Sequence, residues 1–272
     1  MRPRFSTMPE TIETPSVPSL LEDALKRRVY AVHDYSLLAA RSLANLFTPP
    51  QYWTDTLEQM DLIGVGSLSI VVIAALFIGG VLVVNTASQF QRFGMTALTG
   101  DAVSLALVRE LGPAITALLV AGRNASGIAS ELGSMIVTEQ VDAMRALGTD
   151  PVRKLVTPRV VAMATMLPLL TAVADFTGLV GGFIVAHFTL GLGAIQFWTR
   201  AVDALAFSDL LLGFVKPVVF ALIIATVGCF QGLRVTGGTQ GVGRATTSAV
   251  VVSSVLVLVV DFFLTKLFLY TF

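Results

Sequence analysis

The sequence predicts an all-α integral membrane protein: an amphipathic N-terminal helix, about five transmembrane helices, and a short polar helix between the second and third. Three observations carry that prediction. Of 272 residues, 54% are apolar and 13% charged, about half the charged share of a soluble domain, and the mean hydropathy is +0.79. Residues 62–91 contain no charged side chain, and about 20 apolar residues suffice to cross a bilayer. Between two apolar blocks lies a polar island, residues 131–151, with Glu131, Glu139, Asp142, Arg145 and Asp150.

The elements follow in order. Residues 1–18 are rich in Pro, Ser and Thr and have no apolar core, so they read as a disordered tail rather than a signal peptide. A helix starts at Ser19, where Glu22 completes a capping box. Leu21, Leu25, Val29, Val32, Ser36, Ala39, Leu43 and Leu46 then recur every three or four residues, which is one stripe of a helix. Lys26, Arg27 and Arg41 lie off that stripe, and Pro49-Pro50 stops it. A basic amphipathic helix before membrane spans is expected to lie in the interface, with a soluble packing helix as the alternative, and Tyr52 and Trp53 suit the headgroup level. Residues 19–61 are therefore an interfacial region and 62–272 the membrane domain.

Span one is expected over 62–91 and span two over 102–123, the latter interrupted by Arg109-Glu110. Span three covers 160–190 with Asp175 inside it. A loop follows over 191–209, with a short helix around Trp198. Span four covers 210–232 with Lys216 inside it. A glycine-rich loop over 232–244 leads to span five, 246–269, with Asp261 inside it.

Five spans put the two ends on opposite sides. Thirteen cations (Arg2, Arg4, Lys26, Arg27, Arg28, Arg41, Arg123, Arg145, Arg153, Lys154, Arg159, Arg234 and Arg244) fall on the side of the tail, the polar island and the glycine-rich loop. The opposite loops hold Arg92 and Arg200. The positive-inside rule then makes the N-terminus and the polar island cytoplasmic and the C-terminus external. An odd span count favours a homodimer over a single-chain inverted repeat as the source of symmetry, and Gly178 and Gly182 allow close helix contact.

In the polar island, Val137, Val141, Met144 and Leu147 share one helical face, with Glu139, Asp142 and Arg145 off it. Gly148 and Pro151 end it. A cytoplasmic helix of about three turns, near 134–148, results. It is a handle for a soluble partner or an ordinary connecting helix with a solvated face. Arg109, Glu110, Asp175, Lys216 and Asp261 each cost about 2.5–3.5 kcal/mol at a helix centre. Two positive and three negative groups can largely neutralise one another, as an interior polar network, as structural glue or as a proton relay.

Several chemistries are excluded. Net charge is zero, so no nucleic-acid footprint is expected. Cys229 stands alone in an apolar run, as a small hydrophobe. Gly238, Gly241 and Gly243 follow no strand and precede no Gly-Lys-Ser/Thr, so they are not a phosphate loop. His33 and His187 suggest no metal site, and no catalytic triad is visible. No cofactor and no enzymatic activity are expected of this chain.

Longer motifs carry a resemblance. Residues 107–123 (LVRELGPAITALLVAGR), 131–135 (ELGSM), 137–144 (VTEQVDAM), 168–171 (PLLT) with Asp175, 214–221 (FVKPVVFA) and 241–250 (GVGRATTSAV) closely resemble the MlaE/YrbE permeases. The resemblance covers roughly residues 20–270. It implies the membrane subunit of an ABC transporter for phospholipids or similar hydrophobic molecules, in a bacterial inner membrane, supporting outer-membrane lipid asymmetry. The implied assembly is a homodimer that binds a cytoplasmic ATPase through a coupling helix between spans two and three. A periplasmic MCE-domain lipid-binding protein and a small STAS-domain subunit complete it.

By that similarity, Glu139, Gln140, Asp142 and Met144 contact the ATPase. Arg109, Glu110, Lys216 and Asp261 match the family's charged membrane residues, and Leu82, Phe90 and Phe93 match places that line a lipid cavity. Arg123-Asn124-Ala125-Ser126 departs from the small residues usual there. The competing reading is a proton-coupled carrier of an amphiphile that uses the intramembrane carboxylates.

Overall fold

The computed structural model describes residues 17–48 and 52–271. The predicted tail, apart from residues 17 and 18, and the Pro49-Pro50 stop lie outside them. Helix α1 is Val17–Ala44, two residues longer at its start than the capping signal implied. The chain divides after Leu37. In the first unit Val29 and Val32 of the apolar stripe are exposed, and the Ser36 hydroxyl donates to the His33 carbonyl.

The second unit is a helical bundle. A 3₁₀ turn, Asn45–Phe47, follows α1. The five long apolar helices are α2 (Trp53–Arg92), α3 (Thr96–Val137), α5 (Val152–Leu190), α7 (Phe207–Leu233) and α8 (Gly238–Thr271). The short α4 (Gln140–Ala146) joins α3 to α5, and α6 (Ala194–Asp203) joins α5 to α7. Among the described residues there is no strand.

Every span is longer than its apolar run. Helix α2 begins nine residues before residue 62, because Asp55, Glu58 and Asp61 continue its helical backbone. Helix α3 runs through Glu131 and Ser134, so the first third of the polar island belongs to span two. The connecting helix keeps seven residues, about two turns rather than three. The glycine-rich loop is mostly the first turns of α8. The short helix around Trp198 is α6.

Packing explains the order. Gly79 on α2 faces Gly178 on α5 so closely that a Cβ on Gly79 would lie 1.8 Å from the Gly178 carbonyl oxygen. Gly181 meets the Leu76 carbonyl in the same way. Small residues let helix backbones touch in a bilayer, where apolar burial no longer drives association. A core of Val120, Ala125, Leu132, Met163, Phe220 and Ile224 joins α3, α5 and α7. A second cluster, with Val83, Val103, Leu107 and Phe197, seats α6 across the bundle end away from α4. Outward side chains are apolar too: Phe77, Val81, Phe176, Val255 and Phe262 are exposed, as lipid-facing surfaces require.

Three helices carry π-helical turns near charged residues, α2 at Asp61–Val65 among them. Helix α3 has them at Leu107–Leu111 and Ala121–Ala125, and α5 opens with one at Val152–Val156. Such turns free backbone groups and commonly mark functional positions.

Candidate functional site

The first π-helical turn of α3 is followed by Gly112-Pro113. Pro113 has no N–H to offer the Arg109 carbonyl four residues back, and Lys216 Nζ takes that oxygen at 3.0 Å. Lys216 on α7 is 0% exposed. Its ammonium also donates to Glu110 Oε2 at 2.6 Å and Thr265 Oγ1 at 2.7 Å. Those three acceptors use all three ammonium hydrogens. Asp261 Oδ1 on α8 lies 2.9 Å away as a charge partner without hydrogen-bond geometry. The Thr265 hydroxyl lies 3.1 Å from both Glu110 oxygens, to which it can donate. One buried cation thus ties α3, α7 and α8 together, with two carboxylates around it.

Arg109 points elsewhere. Its Nε and Nη2 reach Asp209 Oδ1 at 2.7 and 2.6 Å. Asp209 is buried in the first turn of α7, where its other oxygen accepts the Ala206 N–H at 3.0 Å. The sequence predicts a loop through Asp209, outside the intramembrane charges, whereas the structure starts α7 at Phe207 and puts Asp209 in its first turn. The signal was an acidic residue in the third position of an apolar helix. Thr265 was missed as well, since a threonine in a span carries no charge to flag it.

Asp175 joins neither group. Its Oδ1 is buried against Gly112, where a Cβ would lie 1.7 Å away, and has no hydrogen-bond partner among the described residues. The five charges grouped by the sequence therefore separate into a Lys216–Glu110–Asp261 cluster, an Arg109–Asp209 pair and a solitary Asp175. A further polar contact joins α3 to α2: Arg123 Nη1 and Asn124 Nδ2 both donate to Ser67 Oγ at 3.0 Å.

At the other end of the bundle, α3 turns into α4 at Glu139, whose φ of 58° places it in the left-handed region. Its carbonyl accepts the Ala143 N–H at 3.0 Å. Val141 is fully buried and Met144 half-buried on the core. Glu139, Gln140 and Asp142 are exposed, and Asp142 pairs with Arg145 at 2.9 Å. Leu147, predicted on the apolar face, is 85% exposed. The helix thus rests on Val141, with Met144 beside it, and presents a charged and partly apolar outer side.

Of the residues matched to a lipid cavity, Leu82 is half-buried against the second cluster, Phe90 is half-buried and Phe93 is exposed. An open groove beside Leu82 is lined by Leu76, Phe77, Val81 and Val84 of α2 and by Ile184 and Val185 of α5. Among the described residues no group of His, Cys, Asp and Glu is arranged to hold a metal.

Comparison with known proteins gives the class. The chain is similar to a probable ABC transporter permease protein of Rickettsia felis, 39% identical over 238 residues, or 88% of this chain and 92% of the relative. It is similar to one of Synechocystis, 39% identical over 251 residues, or 86% and 93%. It is also 35% identical over 232 residues to the Arabidopsis thaliana protein named trigalactosyldiacylglycerol 1, chloroplastic, covering 85% of this chain and 66% of that one. With five helices fit to cross a membrane, these relatives define a multi-pass membrane permease. A family model described as Permease MlaE matches residues 56–267, and the chain belongs to that family.

Proposed function

We propose that the protein is the membrane subunit of an ABC transporter that moves phospholipids or similar lipids between a bacterial inner membrane and a periplasmic MCE-domain protein. Two copies form a homodimer. Each presents α4 to a cytoplasmic ATPase, with a small STAS-domain subunit on that ATPase, and the assembly supports outer-membrane lipid asymmetry. The observation that carries this reading is α4: two turns of helix, anchored by Val141, with Glu139, Gln140, Asp142 and Leu147 exposed.

Relatives named as ABC transporter permeases support an ATPase as the partner, and one relative named for a galactolipid supports a lipid cargo. The chemistry agrees. Spans whose charges, Asp175 apart, are paired and whose outer faces are apolar offer a path to an amphiphile rather than to a hydrated ion. The groove between α2 and α5, with Phe90 and Phe93 beyond it, is where acyl chains lie. Closure of the ATPase dimer displaces α4 and, through the spans, the cavity between the two copies. The N-terminus and α4 are cytoplasmic and the C-terminus periplasmic. Glu139→Lys with Asp142→Lys is expected to abolish copurification of the ATPase in mild detergent while the permease still folds. Unchanged copurification would remove the contact assignment.

One observation favours a proton-coupled carrier: the unpartnered Asp175 oxygen inside the bundle. That reading predicts that Asp175→Asn stops transport driven by a pH gradient in the absence of nucleotide. The ATPase reading predicts no such transport in the parent protein.

A further inference from the structure

The stems on either side of α4 carry an ion pair that docking of α4 does not itself require. Glu131 lies on α3, two turns before α4, and Arg159 lies near the start of α5. Arg159 is only 4% exposed. Its Nη2 sits 2.7 Å from Glu131 Oε1, and its Nη1 donates to the Leu155 carbonyl at 2.6 Å. Its Nε–H finds no acceptor among the described residues. Glu131 and one carbonyl therefore carry all the compensation for a buried guanidinium. The pair is buried on the arginine side alone, since the Glu131 side chain is 52% exposed; removing Glu131 leaves a buried guanidinium short of partners, which costs more than breaking a fully exposed pair.

Two other cations in the same stretch make contacts as well. Arg153 donates to Asn45 Oδ1 and Thr48 Oγ1 at 3.4 and 3.3 Å. Lys154 pairs with Asp55 at the foot of α2 and lies 4.3 Å from the centre of the Tyr52 ring. Three cations within seven residues after α4 thus reach the turn after α1, the start of α2 and the end of α3. Arg159 makes the link between the two helices that α4 itself connects.

We propose that Arg159 and Glu131 are positioning residues for energy coupling, holding the ends of α3 and α5 together so that a displacement of α4 moves both spans as one body. This rests on the reading of α4 as the ATPase contact. The non-helical turn between α4 and α5, with Gly148 at a φ of 79°, would otherwise absorb part of such a displacement. With the pair closed, the motion passes along α3 toward Arg109 and Glu110 and along α5 toward Asp175.

The test uses the complex purified with its ATPase and reconstituted in vesicles of phosphatidylethanolamine and phosphatidylglycerol, reading lipid transferred per ATP hydrolysed. Methionine fills the buried site of Arg159 with an apolar side chain of similar length, which is often neutral for folding, and Glu131 is half-exposed, so E131M/R159M removes the link while leaving the fold. The expected result is a folded variant that binds the ATPase and hydrolyses ATP, with transfer per ATP reduced about tenfold, a usual size for a coupling energy. R159K, which keeps the charge pairing, retains most of the transfer. An unchanged ratio in E131M/R159M overturns the proposal. Should that variant fail to fold, E131Q decides: it keeps shape and an acceptor but not charge, and a wild-type ratio there overturns the proposal equally. Absence of any ATPase on the wild-type protein sinks the α4 reading itself, and the proposal with it.

Discussion

Lys216 is the residue on which the interior of the bundle depends most. Its ammonium is fully buried and satisfied by the Arg109 carbonyl, Glu110 and Thr265, with Asp261 as a second counter-charge. Lys216→Met leaves two carboxylates facing each other without a cation. Breaking a buried pair costs about 3–5 kcal/mol, so folded protein recovered from membranes should fall sharply. The triple variant E110Q/K216M/D261N removes the charges together and is expected to restore folding. Thermal unfolding in detergent checks both. The sequence made the charges legible but not their partners, because each contact joins residues far apart in the chain: Arg109 and Asp209 are 100 positions apart. Asp209 escaped notice because the apolar run of span four starts one residue after it. The solitary Asp175 was likewise unreadable, since its isolation depends on where α5 packs against Gly112.

At the scale of elements, the joint between α2 and α5 sets the bundle's tightest contact. A side chain at Gly79 meets backbone rather than a flexible side chain, so no rotamer change can accommodate it. Gly79→Val is expected to separate the two helices and lower the midpoint of thermal unfolding. Val84→Ala, on the outer face of the same helix, should leave it nearly unchanged. Long apolar runs made all five spans visible in the sequence. Their ends were not, because polar residues on an outward face stop an apolar run without stopping a helix. Glu131 and Ser134 on α3 are exposed, and their polarity made span two look shorter and α4 longer than they are. The π-helical turns leave no trace in hydrophobic periodicity; Gly112-Pro113 after one of them is a partial signal.

For the whole molecule, the arrangement of helix ends makes a side-specific prediction. The link between α1 and α2, the α3–α4–α5 turns and the start of α8 share one end of the bundle, and α6 occupies the other. Cys229 is the chain's sole cysteine and is buried, so engineered cysteines report against a quiet background. Leu147→Cys should react with a membrane-impermeant maleimide only when the cytoplasmic face is open. Gly193→Cys, just before α6, should react in intact cells. The reverse pattern would invert the proposed orientation and remove α4 from the side where ATP is found. Charge asymmetry in the loops predicts this orientation from sequence, whereas the proposed second copy, ATPase and lipid cargo leave no mark in one chain's packing.

The most direct measurement is lipid transfer by the purified complex in vesicles, with and without ATP and with and without a pH gradient, for the wild type and for E139K/D142K. The account predicts transfer that requires ATP, ignores the gradient and is lost when α4 carries the two lysines. Transfer that proceeds without nucleotide and follows the pH gradient, unaffected by those lysines, would contradict it.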